Sequence, residues 1–270
     1  MKSWPGGTVL RILRRILMTV GVTLTVIFVG VNWIAPIALS FYATRHAPAI
    51  ARIVPTDLKD QSVADSTGTK LSYLGYGFEV PWNDLDETQT KLYPKDKPEK
   101  VRVDLHFRSG LRVVATAIPA HGWTSEFAKT LKVPPERIEA TFGKSDYGFA
   151  NTLYEFNPDH MHHWSMSHRV HDREEFLLLI KSMVLSRAAY SGILRVQNQK
   201  YRGFQQGDPA VRKDEIKDQL FSDEGSIEMV FLQKDYKSST GITQPEINRI
   251  VQTLRKTVPD SSSAPQIAAK

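Results

Sequence analysis

VRVDLHFRSGLRVVATA, residues 101–117, is the stretch that decides the fold. Val101, Val103, Leu105 and Phe107 alternate with Arg102, Asp104 and His106, and Leu111, Val113, Ala115 and Ala117 resume the alternation after Ser109-Gly110. A period of two around a glycine predicts a β-hairpin with one face toward a core, closed by a two-residue turn. Upstream, YGFEVPW sets Phe78, Val80 and Trp82 on one side of an extended segment, which Pro81 and Pro94 confine to an edge or a strand end.

Downstream the period changes. Pro135 opens a short helix that Gly143 closes, and Phe149, Leu153 and Phe156 mark another turn or two. Asp172 and Glu175 form a capping-box pattern ahead of EEFLLLIKSMVLSRAAY. That run is apolar almost all round, apart from Lys181, and too short to cross a bilayer, so it predicts a buried central helix. Strands return in ILRVQ and KYRGF around a turn at Asn198-Gln199, and in IKDQLF and SIEMVFL around SDEG, where Gly225 suits a positive φ. Thr243, Pro245 and Glu246 open a last helix whose Ile247, Ile250, Val251 and Leu254 form one stripe. The sum is an α+β domain over residues 70–258, with one mostly antiparallel sheet of about five or six strands and helices packed on it.

Ahead of this domain, residues 16–44 carry no charge. About 20 helical residues cross a bilayer core of roughly 30 Å, so the run predicts a transmembrane anchor. Trp33, Phe41 and Tyr42 lie toward its far end, as interfacial aromatics do. Lys2, Arg11, Arg14 and Arg15 precede it with no acid among them, against Arg45, Arg52 and Lys59 after it. The positive-inside rule then leaves residues 1–15 in the cytoplasm and the domain outside it, on the far side of the cell membrane. A cleaved signal peptide is the competing reading, but its apolar region is shorter, about 7–15 residues. Residues 45–69, with Pro48 and Pro55, read as a polar linker, and residues 259–270 as a disordered tail.

Residues 192–256 run hairpin, hairpin, amphipathic helix, with acidic-glycine turns. This arrangement resembles the C-terminal half of PsbP-like domains, which are α/β/α sandwiches of exported and membrane-anchored proteins. YGFEVPW is similar to their opening strand. The resemblance implies a non-catalytic accessory or binding module.

Composition narrows the functions. The net charge of +6 falls to +2 once the four basic residues before the anchor are set aside, which argues against a nucleic-acid surface. The chain has no cysteine, so disulfides, thiolate metal sites and a cysteine nucleophile are excluded. Gly143-Lys144-Ser145 has Ile138 where a phosphate-binding loop needs glycine. Asp84 and Asp86 lack the spacing of a calcium loop and read as an exposed acidic loop.

One cluster stands out. DHMHHWSMSHRVHDREE holds His160, His162, His163, His168 and His171. If its helix begins a turn before Asp172, then His168, His171 and Glu175 share a face and can offer a site to Zn²⁺ or Cu²⁺. The bland alternative is a polar, partly exposed connector that binds no metal, in which alanine at His168 and His171 changes stability little. Three functions remain: a membrane-tethered binding or assembly module without catalytic activity, a metal-binding or metal-sensing exported protein using residues 160–171, and a hydrolase drawing on Asp84, Asp86 and the histidines. The first is the reading the sequence favours, with no cofactor and an unspecified partner.

Overall fold

The computed structural model describes residues 6–65, 68–93, 101–165, 167–211, 214–233 and 241–257. The tail read at residues 259–270 lies outside these, as does Pro94.

The N-terminal apolar run is helical throughout: α1 (Gly6–Val29), a π-helical turn at Gly30–Ile34, and α2 (Ala35–His46). Three of its polar side chains bond within the helix. Thr23 and Thr25 donate to the carbonyls of Thr19 and Gly21, and Asn32 donates to that of Phe28 at 2.8 Å. Pro36 lies in the first turn of α2, where a missing N–H costs least. The helix over Met18–His46 is long and apolar enough to cross a membrane, and its apolar side chains are exposed along it.

Eleven strands follow among the described residues: β1 (Thr56–Asp57), β2 (Thr69–Tyr73), β3 (Tyr76–Val80), β4 (Lys91–Tyr93), β5 (Val101–His106), β6 (Leu111–Pro119), β7 (Ile193–Gln197), β8 (Arg202–Gln206), β9 (Glu215–Ser222), β10 (Gly225–Gln233) and β11 (Arg255–Lys256). Eight form one sheet in the order β1-β7-β8-β9-β10-β6-β5-β4, and β11-β3-β2 form a second. Every pair is antiparallel except β1 with β7. The architecture is therefore α+β and mostly antiparallel, but the main sheet is larger than the five or six strands predicted. The extra strands are short edge pieces, and β10 pairs with β6 to join the two halves of the chain.

The helices are α3 (Gly122–Leu131), α4 (Pro135–Phe142), α5 (Asp146–Glu155), α6 (His168–Val184) and α7 (Gln244–Thr253). One core lies between the main sheet and α7 with the small sheet; it gathers Val103, Leu105, Val113, Phe231, Ile247 and Ile250. A second, between the sheet and α3–α6, gathers Trp123, Phe149, Leu153, Leu177, Phe204 and Phe221.

The hairpin at residues 101–119 has the predicted alternation but a longer loop. Phe107 N donates to Leu111 O at 2.9 Å, so Arg108, Ser109 and Gly110 make a three-residue loop with Gly110 at φ +87°. Asp84 Oδ2 accepts from Ser109 N at 2.7 Å, and Asp86 Oδ1 accepts from Thr88 N and Oγ1 at 3.0 and 2.6 Å. These carboxylates hold loops in shape.

Two helices differ from the reading of the sequence. α6 begins at His168, after Ser167, so the Asp172/Glu175 box lies inside the helix and does not cap it. Nor is α6 buried all round: Leu179 and Met183 face outward, while Lys181 is 0% exposed. α7 matches its sequence signals. Glu246 Oε2 accepts from Thr243 N and Oγ1, both at 2.8 Å, and Oε1 accepts from Trp82 Nε1 at 3.0 Å.

One core residue is out of character. Asp218, 0% exposed on β9 between Gln205 of β8 and Met229 of β10, has no hydrogen-bond partner for either oxygen among the described residues. Burial pushes its carboxyl from 3.8 up to about 8, because a lone charge is far costlier there than a neutral acid. A raised folded value means stability is fully present below about pH 4 and is lost as pH rises toward about 8. We expect Asp218→Asn to flatten this slope in thermal melts across that range. The wild type should lose up to roughly 5 kcal/mol relative to the variant; parallel curves would show that Asp218 ionises freely.

Candidate functional site

The histidine segment turns out to be the joint between the N-terminal apolar helix and the domain. The 3-10 turn Pro158–His160 and the residues after it lie along the last turns of α2. Ser40 Oγ and His163 Nδ1 are hydrogen-bonded at 2.8 Å, and the His163 ring stacks on Phe41 at 4.2 Å. Thr44 Oγ1 donates to Pro158 O at 3.2 Å and contacts Met161 Sδ at 3.3 Å. Arg52 completes the joint. Its Nη1 and Nη2 donate to the carbonyls of Ala47 and Thr44, both at 2.7 Å, and its Nε donates to Asp159 at 3.0 Å. Thr44 O also accepts from Ala47 N at 3.3 Å, so the guanidinium adds charged donors at a helix C-terminus whose carbonyls are short of partners.

Residues 45–69, read as a linker, are accordingly packed over their first part. The turn Ala49–Arg52 buries Ile50 and Ala51, Leu178 of α6 packs on Ala47 and Ala51, and β1 joins the main sheet. Lys181 holds the same region from inside. Its Nζ donates to the carbonyls of Ile53, Tyr154 and Phe156 at 2.7, 2.9 and 2.6 Å. Burial lowers this ammonium to about 8, against a smaller raising effect of Glu155.

The sequence-derived metal residues are placed as follows. His168 opens α6, so positions 168, 171 and 175 fall on one helix face; the side chain of His168 lies outside the described residues. His171 is 3% exposed, and its Nε2 donates to Ser165 O at 2.7 Å, while its Nδ1 is buried and has no partner among the described residues. Glu175 is held above its ordinary value first by burial and then by Asp172, with His171 acting the other way. His162 is elsewhere, donating to Glu174 at 2.5 Å. Among the described residues, no three His, Asp or Glu side chains converge as a metal cluster.

A separate cleft of about 250 Å³ opens between α3, the end of α6 and the sheet. Trp123, Phe127, Met183 and Val184 form its lips, and Lys217, Gln219 and Glu228 its floor. The floor is one hydrogen-bonded chain. Lys217 Nζ and Gln219 Nε2 meet Glu228 Oε2 at 3.0 and 2.9 Å. Gln219 Oε1 accepts from Tyr154 Oη, which accepts from Gln206 Nε2 at 3.0 Å, and Gln206 Oε1 accepts from Ser186 N at 2.8 Å. Burial keeps Tyr154 a phenol by raising it far above the ordinary value. The chain fixes the direction of every dipole, and its single acid and single base are neutralised by each other. Such a cleft suits binding of a group with one apolar side and one polar end.

Sequence reading missed Lys181, Asp218 and this floor. The signal was present as polar residues in strands otherwise apolar, the QQ of RGFQQ and the KDQ of IKDQLF. No family model, curated protein or solved structure matches this chain.

Because His171 is buried and bonded, its replacement costs stability whether or not metal binds, in contrast to the small effect expected of an exposed connector. In the presence of a chelator, His171→Ala should lower stability by about 1–3 kcal/mol. His160→Ala, at an exposed position, should change it by less than about 0.5 kcal/mol. Equal, small effects in thermal melts would return the segment to a loose connector.

Proposed function

We propose that this chain is a membrane-anchored extracytoplasmic binding or assembly module without chemistry of its own. The observation that carries the reading is the uninterrupted apolar helix at Met18–His46, whose last turns are bonded to the domain through Ser40, Thr44 and Arg52. The basic residues Arg11, Arg14 and Arg15 before the helix support a cytoplasmic N-terminus. The cleft above Lys217 and Glu228 supports binding over catalysis, since the two charges on its floor pair with each other and, among the described residues, its lining sets no nucleophile beside a base. The PsbP-like resemblance of residues 192–256 fits the same reading, because it implies an accessory module. In this role the anchor fixes where the domain stands and the joint fixes how it is oriented.

A second reading, metal binding at His168, His171 and Glu175, is favoured by the buried, unpartnered Nδ1 of His171 beside Glu175. Zinc titration of the purified full chain separates the two. Sub-micromolar binding that His171→Ala removes, with Glu175→Gln reducing it, promotes the second.

For the first reading we expect the full chain to stay with the membrane after alkaline carbonate extraction. A reporter active only outside the cytoplasm, fused after the anchor in a bacterial host, should be active. Release by carbonate, or activity only of a cytoplasmic reporter, contradicts it.

A further inference from the structure

Trp164 is 77% exposed, an unusual state for the largest apolar side chain. It is not stranded at random. Its ring meets Phe41 of α2 edge-on at 5.4 Å, and His163 stacks on the same phenyl ring. Phe41 and Tyr42 are exposed too, so the apolar surface of the anchor continues without a break onto the domain at Trp164.

Depth follows from helix geometry. Counted from the basic residues at Arg14 and Arg15, about 20 residues use up the hydrocarbon core near Pro36. Ser40, Phe41 and Tyr42 then stand roughly 6–10 Å further out, which is the headgroup layer. Trp164 is level with them. An amphipathic indole is most stable in that layer, where the ring is out of water and its N–H still finds acceptors. Charge agrees with the placement. Arg45, Arg169 and Arg173 are exposed around the segment, as is Asp172, whereas the acids Asp159 and Glu174 are paired with Arg52 and His162.

We propose that the segment at residues 157–165 is a second membrane contact, with Trp164 lodged among the phospholipid headgroups of the leaflet the anchor leaves. The inference rests on the proposed anchoring and adds to it. The domain then has two points of attachment, one across the bilayer and one on its surface, and its cleft is held at a set height and orientation.

The absence of native cysteine makes the test direct. Single-cysteine variants Leu24→Cys, Trp164→Cys and Val211→Cys of the full chain carry an environment-sensitive nitrobenzoxadiazole label, in nanodiscs of phosphatidylcholine and phosphatidylglycerol. Quenching is compared for lipids spin-labelled near the headgroup, lipids spin-labelled near the bilayer centre, and iodide in solution. The account expects the Leu24 label to respond most to the deep quencher, the Trp164 label to the shallow one, and the Val211 label to iodide alone. In the unlabelled chain, Trp164→Phe should reduce the part of the tryptophan emission quenched by the shallow lipid, leaving the share that comes from Trp33. A Leu24 label deep in the bilayer with a Trp164 label that behaves like Val211 overturns the second contact and leaves the anchor intact. A Leu24 label reached by iodide and not by lipid overturns the anchoring, and this inference with it.

Discussion

The guanidinium of Arg52 is where the two parts of this molecule become one. A long apolar helix ends with carbonyls that have no partner in the next turn, and in most chains water or a glycine cap receives them. Here Arg52 donates from Nη2 and Nη1 to the carbonyls of Thr44, which also takes the Ala47 amide, and of Ala47, and from Nε to Asp159. The chain cannot swing away from the helix without exposing or orphaning these groups. Lys181 repeats the device in the interior, one ammonium holding three carbonyls from the segment after the anchor and from the end of α5. Two cations bound to backbone oxygens take the place that a flexible tether would otherwise have.

This arrangement explains why the histidine segment is so polar and yet so well placed. His163 and Met161 meet the N-terminal helix, His162 meets Glu174, and His171 meets Ser165, so these four side chains each have a packing or hydrogen-bonding task. The buried Nδ1 of His171 is the exception, and it gives the metal reading its one structural argument. The cleft lies elsewhere, behind α3, and its floor depends on Tyr154, whose own carbonyl Lys181 holds. Joint and cleft are thus built on the same helix.

The parts of the fold legible in the sequence are those set by local chemistry. The residue 101–119 hairpin follows from a period of two, and α7 from Thr243, Glu246 and its apolar stripe. α3 carried no such sign. His121 before it is left-handed, and the helix is capped from a distance by Asp146, which accepts from Thr124 N at 3.2 Å. The start of α6 was hidden because Asp172 and Glu175 imitate a cap inside the helix. Lys181 read as an interruption of an apolar run, since one sequence does not show that three carbonyls from distant segments converge on its Nζ. The same holds for Arg52, an ordinary surface arginine until the fold brings the end of α2 beside it.

Hydrogen exchange of the full chain in lipid nanodiscs tests the central claim, a domain fixed to the N-terminal apolar helix without slack, most directly. The amides of Ala47, Ala51 and Ile53 donate to Thr44, Pro48 and Ile50 at 3.3, 2.9 and 3.2 Å, in a stretch closed by Arg52 and Lys181. The account predicts slow exchange across this stretch, comparable to that of the neighbouring sheet edge, and faster exchange in Arg52→Ala. Exchange at the rate of an unstructured chain in the wild type would mean that the anchor and the domain are joined by a tether after all.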